Sequence, residues 1–151
     1  MEEMASRYAH RSVRSVFLYT RGAHPGENYR HHSSMDDKRN NARAFRTEFD
    51  VKRQILLDDV EGTANRAYGT LPNMSWIIGP RGTIHYKAAA WTHPIDIEDA
   101  QRYSLDAVER RSKDKPLPYH SERLKWRMRD DEKFRARLVK NGPQAVKDFY
   151  G

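Results

Sequence analysis

The side chains that could do chemistry are concentrated in segment 21–32, which reads RGAHPGENYRHH and holds three of the chain's seven histidines. An imidazole can accept and release a proton near neutral pH, so His24 is the first candidate for acid–base work. His24, His31 and His32 could also bind a divalent metal together with one of the two aspartates that follow them. Adjacent histidines on one loop rarely point at a single ion, however, and we expect no metal and no other cofactor.

Other patterns of catalytic or binding residues are weaker. Asp58 and Asp59, followed by Glu61, could suggest a magnesium site, but two acids between a strand and a glycine are typical of a solvated turn. Segment 79–82 joins two predicted strands and leads to no helix, unlike a phosphate-binding loop. No Ser, His and Asp set includes the turn that presents a nucleophilic serine. The sequence therefore offers no strong catalytic motif of its own.

The chain of 151 residues contains no cysteine. Disulfides, thiolate zinc sites, iron–sulfur clusters and thiol catalysis all need cysteine sulfur, so this chain supplies none of them. No apolar run approaches the roughly 20 residues that cross a bilayer, and residues 1–10 lack the apolar region of a secretion signal. We therefore expect a soluble, cytoplasmic protein that has no membrane partner.

The net charge of +7 is concentrated near the C-terminus, where residues 111–151 carry 12 basic and 6 acidic side chains. A basic tail that also contains aromatic residues could bind a nucleic acid or a protein subunit, which is the alternative function. The acids Asp130, Asp131 and Glu132 would repel phosphate, and scattered mixed charge is typical of a solvated helix face. We therefore favour an ordinary exposed tail over nucleic-acid binding.

Apolar spacing and helix caps predict alternating helices and strands. Ser34 and Asp37 form the S-x-x-D pattern of a helix N-terminus. Gly142 followed by Pro143 is typical of one helix ending and another beginning. The order predicts an α/β domain over residues 1–112, followed by a linker and C-terminal helices over residues 113–151. The predicted elements are helices 1–10, 34–50, 63–68 and 94–111, strands 12–20, 54–57, 74–78 and 83–87, and the tail helices.

Four of these elements also have predicted packing. Strands 74–78 and 83–87 are joined by four residues, which predicts an antiparallel hairpin. The helix that follows should turn inward the set Ile97, Ala100, Ser104 and either Ala107 or Val108. The last tail helix should dock back on the domain through Val146, Phe149 and Tyr150, with a contribution from Trp126.

Three segments of the chain resemble the iodothyronine deiodinases, redoxin-like members of the thioredoxin-fold superfamily. Residues 16–25 (VFLYTRGAHP) resemble the family's apolar strand and the loop with an Ala-His-Pro-like stretch. Residues 58–72, which end in Leu-Pro before strand 74–78, and the glycine-led strand 82–87 are similar to later parts of the family. The similarity covers about residues 1–110. It implies a thioredoxin-like sheet flanked by helices, with the first strand missing, plus a basic helical extension.

The resemblance implies an oxidoreductase whose cysteine or selenocysteine lies between the first strand and the first helix, where the helix N-terminus stabilises its anion. In the deiodinases this nucleophile removes iodine from an aromatic ring, and thiols restore it. The pattern in this chain begins after that position, and Gly22 stands where the family has an acidic residue. We therefore expect either a non-catalytic derivative or the truncated body of an oxidoreductase that acts on a small-molecule or thiol substrate.

The same resemblance assigns roles to individual residues. It implies that His24 is the catalytic histidine of the loop and that Leu71, Pro72 and Tyr29 bind the substrate. It also implies a cis peptide bond between Leu71 and Pro72.

A missing first strand would have a structural consequence. It would remove the interior neighbour of strands 12–20 and 54–57, and unpaired backbone groups in a buried sheet are costly. Either these two strands pair directly, or a second copy or a partner chain completes the sheet.

Overall fold

The computed structural model describes residues 1–70, 74–88, 94–113, 115 and 130–151. It has a mixed α/β architecture, as the sequence predicts. No helix in these ranges is long and apolar enough to cross a membrane. In chain order the elements are α1 (Glu2–Ala9), β1 (Val16–Tyr19), α2 (Met35–Glu48), β2 (Gln54–Leu57), α3 (Thr63–Tyr68), β3 (Trp76–Ile78), β4 (Ile84–Lys87), α4 (Pro94–Ser112), α5 (Asp131–Asn141) and α6 (Pro143–Tyr150).

Contacts in space group the chain into two compact units. The first unit joins Glu2–Tyr68 to Trp126–Gly151 and contains α1 to α3, β1, β2, α5 and α6. The second unit is built on Gly69–Lys125 and contains β3, β4 and α4. The sequence predicts a domain boundary at residue 112, which separates the C-terminal helices from the preceding domain. The grouping by contacts instead places these helices with the first two strands.

In the first unit β1 and β2 pair in parallel, with Val16 opposite Gln54 and Tyr19 opposite Leu57. Parallel neighbours need a crossover connection, and α2 lies within it. The rings of Phe17 on β1 and Phe45 on α2 are 4.8 Å apart between centroids, so the helix contacts the sheet through aromatic side chains. Direct pairing is the first of the two arrangements expected for a missing strand. Completion of the sheet by a second copy or partner chain stays a prediction.

In the second unit β3 and β4 form an antiparallel pair with Ile77 opposite Tyr86, which confirms the predicted hairpin. Among the described strands each sheet has only two members, so the thioredoxin-like sheet implied by the resemblance is not confirmed. Helix α4 packs on the hairpin. Ile97 and Ala107 are buried whereas Val108 is 39 % exposed, which decides between the two inward residues that helical spacing left open.

Helix α2 begins as its sequence predicts. The Ser34 side chain accepts a hydrogen bond from the Asp37 backbone N–H at 3.1 Å. Hydrogen bonds from Ser33 and Ser34 lower the pKa of the Asp37 carboxyl, because they favour its ionised form. At the other end the Phe49 N–H donates to the Phe45 carbonyl, and Asp50 turns the chain with a φ of +48°. The S-x-x-D prediction is therefore confirmed at atomic level.

The turn after β2 differs from its prediction. Asp58 is only 3 % exposed, although a solvated turn was expected. Its carboxylate accepts three backbone hydrogen bonds, from Asp59 at 2.9 Å and from Ala64 and Asn65 at 2.8 Å. Ala64 and Asn65 belong to the first turn of α3, whose N–H groups have no intrahelical partners. Asp58 is therefore the buried cap of α3, with its acceptor capacity committed to the backbone.

The tail helices α5 and α6 meet at a sharp corner. Asp130 caps α5 by accepting from the Lys133 N–H at 3.0 Å. Gly142 has a φ of +116°, a conformation that favours glycine, and its N–H donates to the Leu138 and Val139 carbonyls. Pro143 then opens α6. The predicted helix break at 141–143 is confirmed.

A buried histidine lies near the C-terminal end of β1. His32 is 6 % exposed, and its ring centroid lies 5.6 Å from that of Tyr19. Burial lowers the pKa of His32, and the charge of Lys38 and the neighbouring His31 add to the effect. Lys38 is itself only 2 % exposed and donates from Nζ to the Asp59 carbonyl at 2.5 Å. The fold therefore favours the neutral imidazole at this site.

Replacing Asp58 should destabilise the protein strongly. Asp58→Ala removes the acceptor of three backbone hydrogen bonds at a buried site, which should lower the free energy of unfolding by about 2–3 kcal/mol. Asp58→Asn keeps one acceptor oxygen and should lose less. Urea unfolding followed by circular dichroism measures the change. Glu61→Gln is the control, because this nearby carboxylate is exposed, and an equal loss there would contradict a capping role.

Stability should fall as the pH drops below 6.5, the ordinary pKa of histidine. Because the folded-state pKa of His32 is lowered, its contribution is present above 6.5 and is lost as the pH falls through the folded value. The slope is at most about 1.4 kcal/mol per pH unit for one proton. Urea unfolding between pH 7.5 and 5.5 should show a flatter dependence in His32→Gln. The exposed His10→Gln should keep the wild-type slope, and equal slopes in all three proteins would exclude His32 as the cause.

Candidate ligand-binding site

A loop without regular structure, residues 21–34, leads from β1 to α2 and wraps against the α5–α6 corner. Asn141 is the main link between them. Its side-chain amide donates to the His24 carbonyl at 2.7 Å, and its oxygen accepts from the Tyr29 N–H at 2.7 Å. A third hydrogen bond runs from the loop to the tail, because the Asn28 side chain donates to the Lys140 carbonyl at 2.7 Å. The loop is therefore held at several points by one short piece of the tail.

Two glycines allow the loop and the corner to come close together. A Cβ atom at Gly26 would lie 2.6 Å from the Asn141 carbonyl oxygen, and one at Gly142 would clash with the Glu27 carboxylate. Glu27 caps α6, because the residue that precedes this helix makes no side-chain capping hydrogen bond. Its carboxylate lies 3.1 Å from the Gln144 N–H, where it complements the positive end of the helix.

His24, the first candidate from the sequence, lies on one side of this junction. Its Nδ1 is 3.0 Å from Oδ2 of Asp148, and the two side chains are 25 % and 43 % exposed. The ring of Phe149 meets the imidazole edge-on at 5.0 Å, and that of Phe134 lies at 6.1 Å. A carboxylate at Nδ1 orients an imidazole and leaves the other ring nitrogen for proton transfer. The chain contains no thiol for such a base to activate.

Tyr29 lies on the other side of the junction in a chain of three polar groups. Its hydroxyl donates to Glu48 at 3.0 Å, and Lys140 donates to the other Glu48 oxygen at 2.6 Å. The Lys140 hydrogen bond lowers the pKa of Glu48, and the same pair raises the pKa of Lys140. The pKa of Tyr29 is raised because its hydroxyl hydrogen is bound by Glu48. The arrangement therefore keeps a neutral phenol beside an ion pair.

A pocket of about 200 Å³ opens beside these groups. Aromatic side chains form much of its wall, and the rings of Phe45 and Phe49 are 4.9 Å apart. The Arg137 guanidinium lies 5.1 Å from the Phe49 ring centroid, within cation–π distance. The remaining lining residues are Tyr19, Tyr29, Asn41, Glu48, Lys140 and Asn141. The pocket thus combines an aromatic wall with two cations and one carboxylate.

Of the four site residues that the sequence predicts, two lie in the described structure and two do not. The structure places His24 and Tyr29 on the same loop, where the His24 carbonyl accepts a hydrogen bond from the Asn141 side chain and the Tyr29 N–H donates one to it. Leu71 and Pro72, including the predicted cis peptide bond between them, lie outside the described residues. The roles in catalysis and substrate binding that the resemblance implies for all four residues stay predictions.

Sequence reasoning missed the tail's contribution to the site. The mixed charge of the tail predicts a solvated face, whereas the structure has four of its polar residues in contact with the loop or in the pocket lining: Arg137, Lys140, Asn141 and Asp148. The docking of Phe149 is confirmed by its contact with His24. The available signal was the apolar spacing of α6, which predicted a docked helix without identifying the polar groups beside it.

The described part of the tail carries little excess charge. Residues 130–151 contain five basic and four acidic side chains. Lys140 and Asp148 are engaged with Glu48 and His24, and Lys133 pairs with Asp130 at 2.9 Å. This segment therefore provides no observation that favours nucleic-acid binding.

Neither a metal cluster nor a known relative identifies the function. Within the described ranges no group of three or more His, Asp and Glu side chains is arranged to hold a metal ion. No protein-family model matches the chain, and no curated protein matches it either. The assignment of function therefore depends on the geometry of the site.

Removing the Asn141 side chain should release the loop. Asn141→Ala loses two hydrogen bonds of 2.7 Å and leaves a backbone donor and acceptor without partners, which should lower the free energy of unfolding by about 1–3 kcal/mol. The Tyr29 amide should exchange its hydrogen faster, as measured by NMR. The control is Asn40→Ala on the exposed face of α2, which should change stability little. Unchanged exchange at Tyr29 would contradict the role of Asn141.

Proposed function

We propose that this chain is a non-catalytic ligand-binding derivative of the deiodinase-like redoxin proteins, and that it binds a single-ring aromatic carboxylate beside Tyr29. The observation that carries the proposal is the pocket that joins an aromatic wall to the Arg137 guanidinium. Its size, charge and lining each restrict the ligand.

The charges favour an anion. Lys140 and Glu48 neutralise each other through a hydrogen bond of 2.6 Å. Arg137 contacts the Phe49 ring, and among the described residues no carboxylate lies within ion-pair distance of it, although its charge contributes to lowering the pKa of Glu48. A guanidinium presents two parallel N–H groups that match the two oxygens of a carboxylate. The pocket lining therefore carries one positive charge more than its single carboxylate neutralises.

The wall and the volume favour one aromatic ring. Phe45, Phe49 and Tyr19 offer ring faces and edges, and aromatic pairs gain energy beyond the area they bury. A volume of about 200 Å³ is below the roughly 300–1,000 Å³ typical of sites for drug-sized ligands. The Tyr29 hydroxyl donates its hydrogen to Glu48, so towards a ligand its oxygen acts only as an acceptor. A benzoate-sized molecule fits these conditions better than a two-ring compound.

The lack of a nucleophile supports binding without turnover. The sequence contains no cysteine, so the His24–Asp148 pair has no thiol of this chain to assist. The order β1, α2, β2, followed by the β3–β4 hairpin and α4, agrees with the thioredoxin-like order that the resemblance implies. The alternative within the same family is the body of a longer oxidoreductase whose nucleophile is encoded upstream. Under either reading the pocket is the ligand-binding part.

Titration with benzoate tests the proposed ligand. We expect saturable shifts of the Tyr29 and Lys140 amide signals in ¹⁵N NMR spectra. Arg137→Gln should weaken binding about tenfold, the usual effect of losing one charge-assisted hydrogen bond. Arg135→Gln is the matched control, because this exposed arginine is on the same helix but does not line the pocket. Equal weakening by both variants would indicate non-specific charge attraction and contradict the proposal.

Two further experiments test the requirement for both ring and charge in the ligand, and the absence of turnover. Acetate supplies the charge without the ring and phenylmethanol supplies the ring without the charge, so both should bind more weakly than benzoate. A thiol-dependent reductase assay of the 151-residue chain should show no turnover, because the chain has no cysteine. Turnover by this chain alone would contradict the non-catalytic assignment.

A further inference from the structure

The second unit contains a separate pocket of about 380 Å³ between the β3–β4 turn and the last turns of α4. Its polar lining consists of two arginines, a histidine and a threonine, and its apolar lining includes Pro80 and Val108. The volume lies within the roughly 300–1,000 Å³ typical of small-molecule sites. The pocket shares no residue with the site beside Tyr29.

The turn that forms one wall is fixed by its own backbone. The Gly79 N–H donates to the Thr83 carbonyl at 2.7 Å, and the Gly82 N–H donates to the Gly79 carbonyl at 2.9 Å. Gly82 has a φ of +78°, which residues with a side chain rarely adopt. Arg81, in the middle of this turn, is therefore carried on a defined backbone.

A β-bulge places the histidine. Ile77 pairs with Tyr86 and Ile78 pairs with Ile84, so His85 between them has no opposite residue. Bulges often redirect a side chain towards a functional site. A Cβ atom at Gly79 would lie 2.5 Å from Nε2 of His85, so a larger residue at this position would force the imidazole to shift. The bulge and the glycine together place His85 in the pocket wall.

The charges of this pocket are uncompensated. Arg111 lies one helical turn after the buried Ala107, on the side of α4 that lines the pocket. No Asp or Glu lines it, and across the described parts of the chain neither Arg81 nor Arg111 forms an ion pair. Arg102 on the same helix contrasts with them, because it pairs with Asp99 at 2.6 Å.

We propose that this pocket binds the phosphate group of a small phosphomonoester whose body is apolar. Two guanidiniums, an imidazole and the Thr83 hydroxyl offer more donors than one carboxylate can accept. A phosphomonoester has three terminal oxygens and a charge of about −1.5 to −2 at neutral pH, which suits this number of donors. The apolar side chains of Pro80 and Val108 complement the body of the ligand.

Titration of the full chain with phenyl phosphate tests this site. We expect saturable binding by calorimetry, with ¹⁵N NMR shifts at Gly79, Gly82 and Thr83. Arg81→Gln and Arg111→Gln should each weaken binding about tenfold or more. Arg102→Gln should leave the affinity unchanged, since this arginine does not line the pocket. Inorganic phosphate should bind more weakly than phenyl phosphate, because it lacks the apolar body.

Three results would overturn the proposal. The first is the absence of saturable binding at millimolar phenyl phosphate. The second is equal weakening by Arg102→Gln, which would indicate general charge attraction. The third is tighter binding of a single-stranded RNA oligonucleotide, weakened by the same two variants, which would make the patch a nucleic-acid surface. Circular dichroism spectra that match the wild type confirm that each variant is folded.

Discussion

The first unit depends on the hydrogen bonds that one asparagine makes with an irregular loop. A loop without helix or strand lacks a regular hydrogen-bond ladder; within this one the Gly26 N–H donates to the Tyr29 carbonyl, and its other partly buried backbone groups need partners. Asn141 supplies one donor and one acceptor, and it meets two loop residues that are five positions apart. Because Tyr29 comes from the loop and Arg137 from α5, this junction helps to hold two walls of the pocket together.

Charges in this protein have two distinct uses. Some are neutralised inside the structure, as with Glu48 and Lys140, or with Asp58, whose carboxylate caps α3. Others line pockets and form no close ion pair with the described residues, as Arg137 does in the first unit and Arg81 in the second. The location of the net positive charge is therefore more informative than its total. In the sequence most of the net positive charge lies in the tail. In the structure the arginines that line the two pockets lie beside apolar walls.

The predictions that are confirmed concern interactions within a few residues of one another. Ser34 and Asp37 cap α2 because the bond spans three residues, and Gly142 with Pro143 ends one helix and begins the next through local backbone geometry. Strand 54–57 was predicted with its observed bounds because its apolar run is short and well delimited. The prediction for Asp58 was wrong, since burial at a turn depends on what covers it. Here α2 contributes Lys38, whose ammonium binds the Asp59 carbonyl from outside the turn.

By itself the sequence determined the alternation of helices and strands, the helix caps, the hairpin and the absence of thiol chemistry, because each follows from residue types or from spacing along a few turns. Only the tertiary structure decided that the C-terminal helices belong to the first unit, that His24 meets Asp148, and that Arg137 and Tyr29 share a pocket. These contacts join residues more than a hundred positions apart. No local pattern encodes such a pairing, because it arises only when separately formed elements pack against one another.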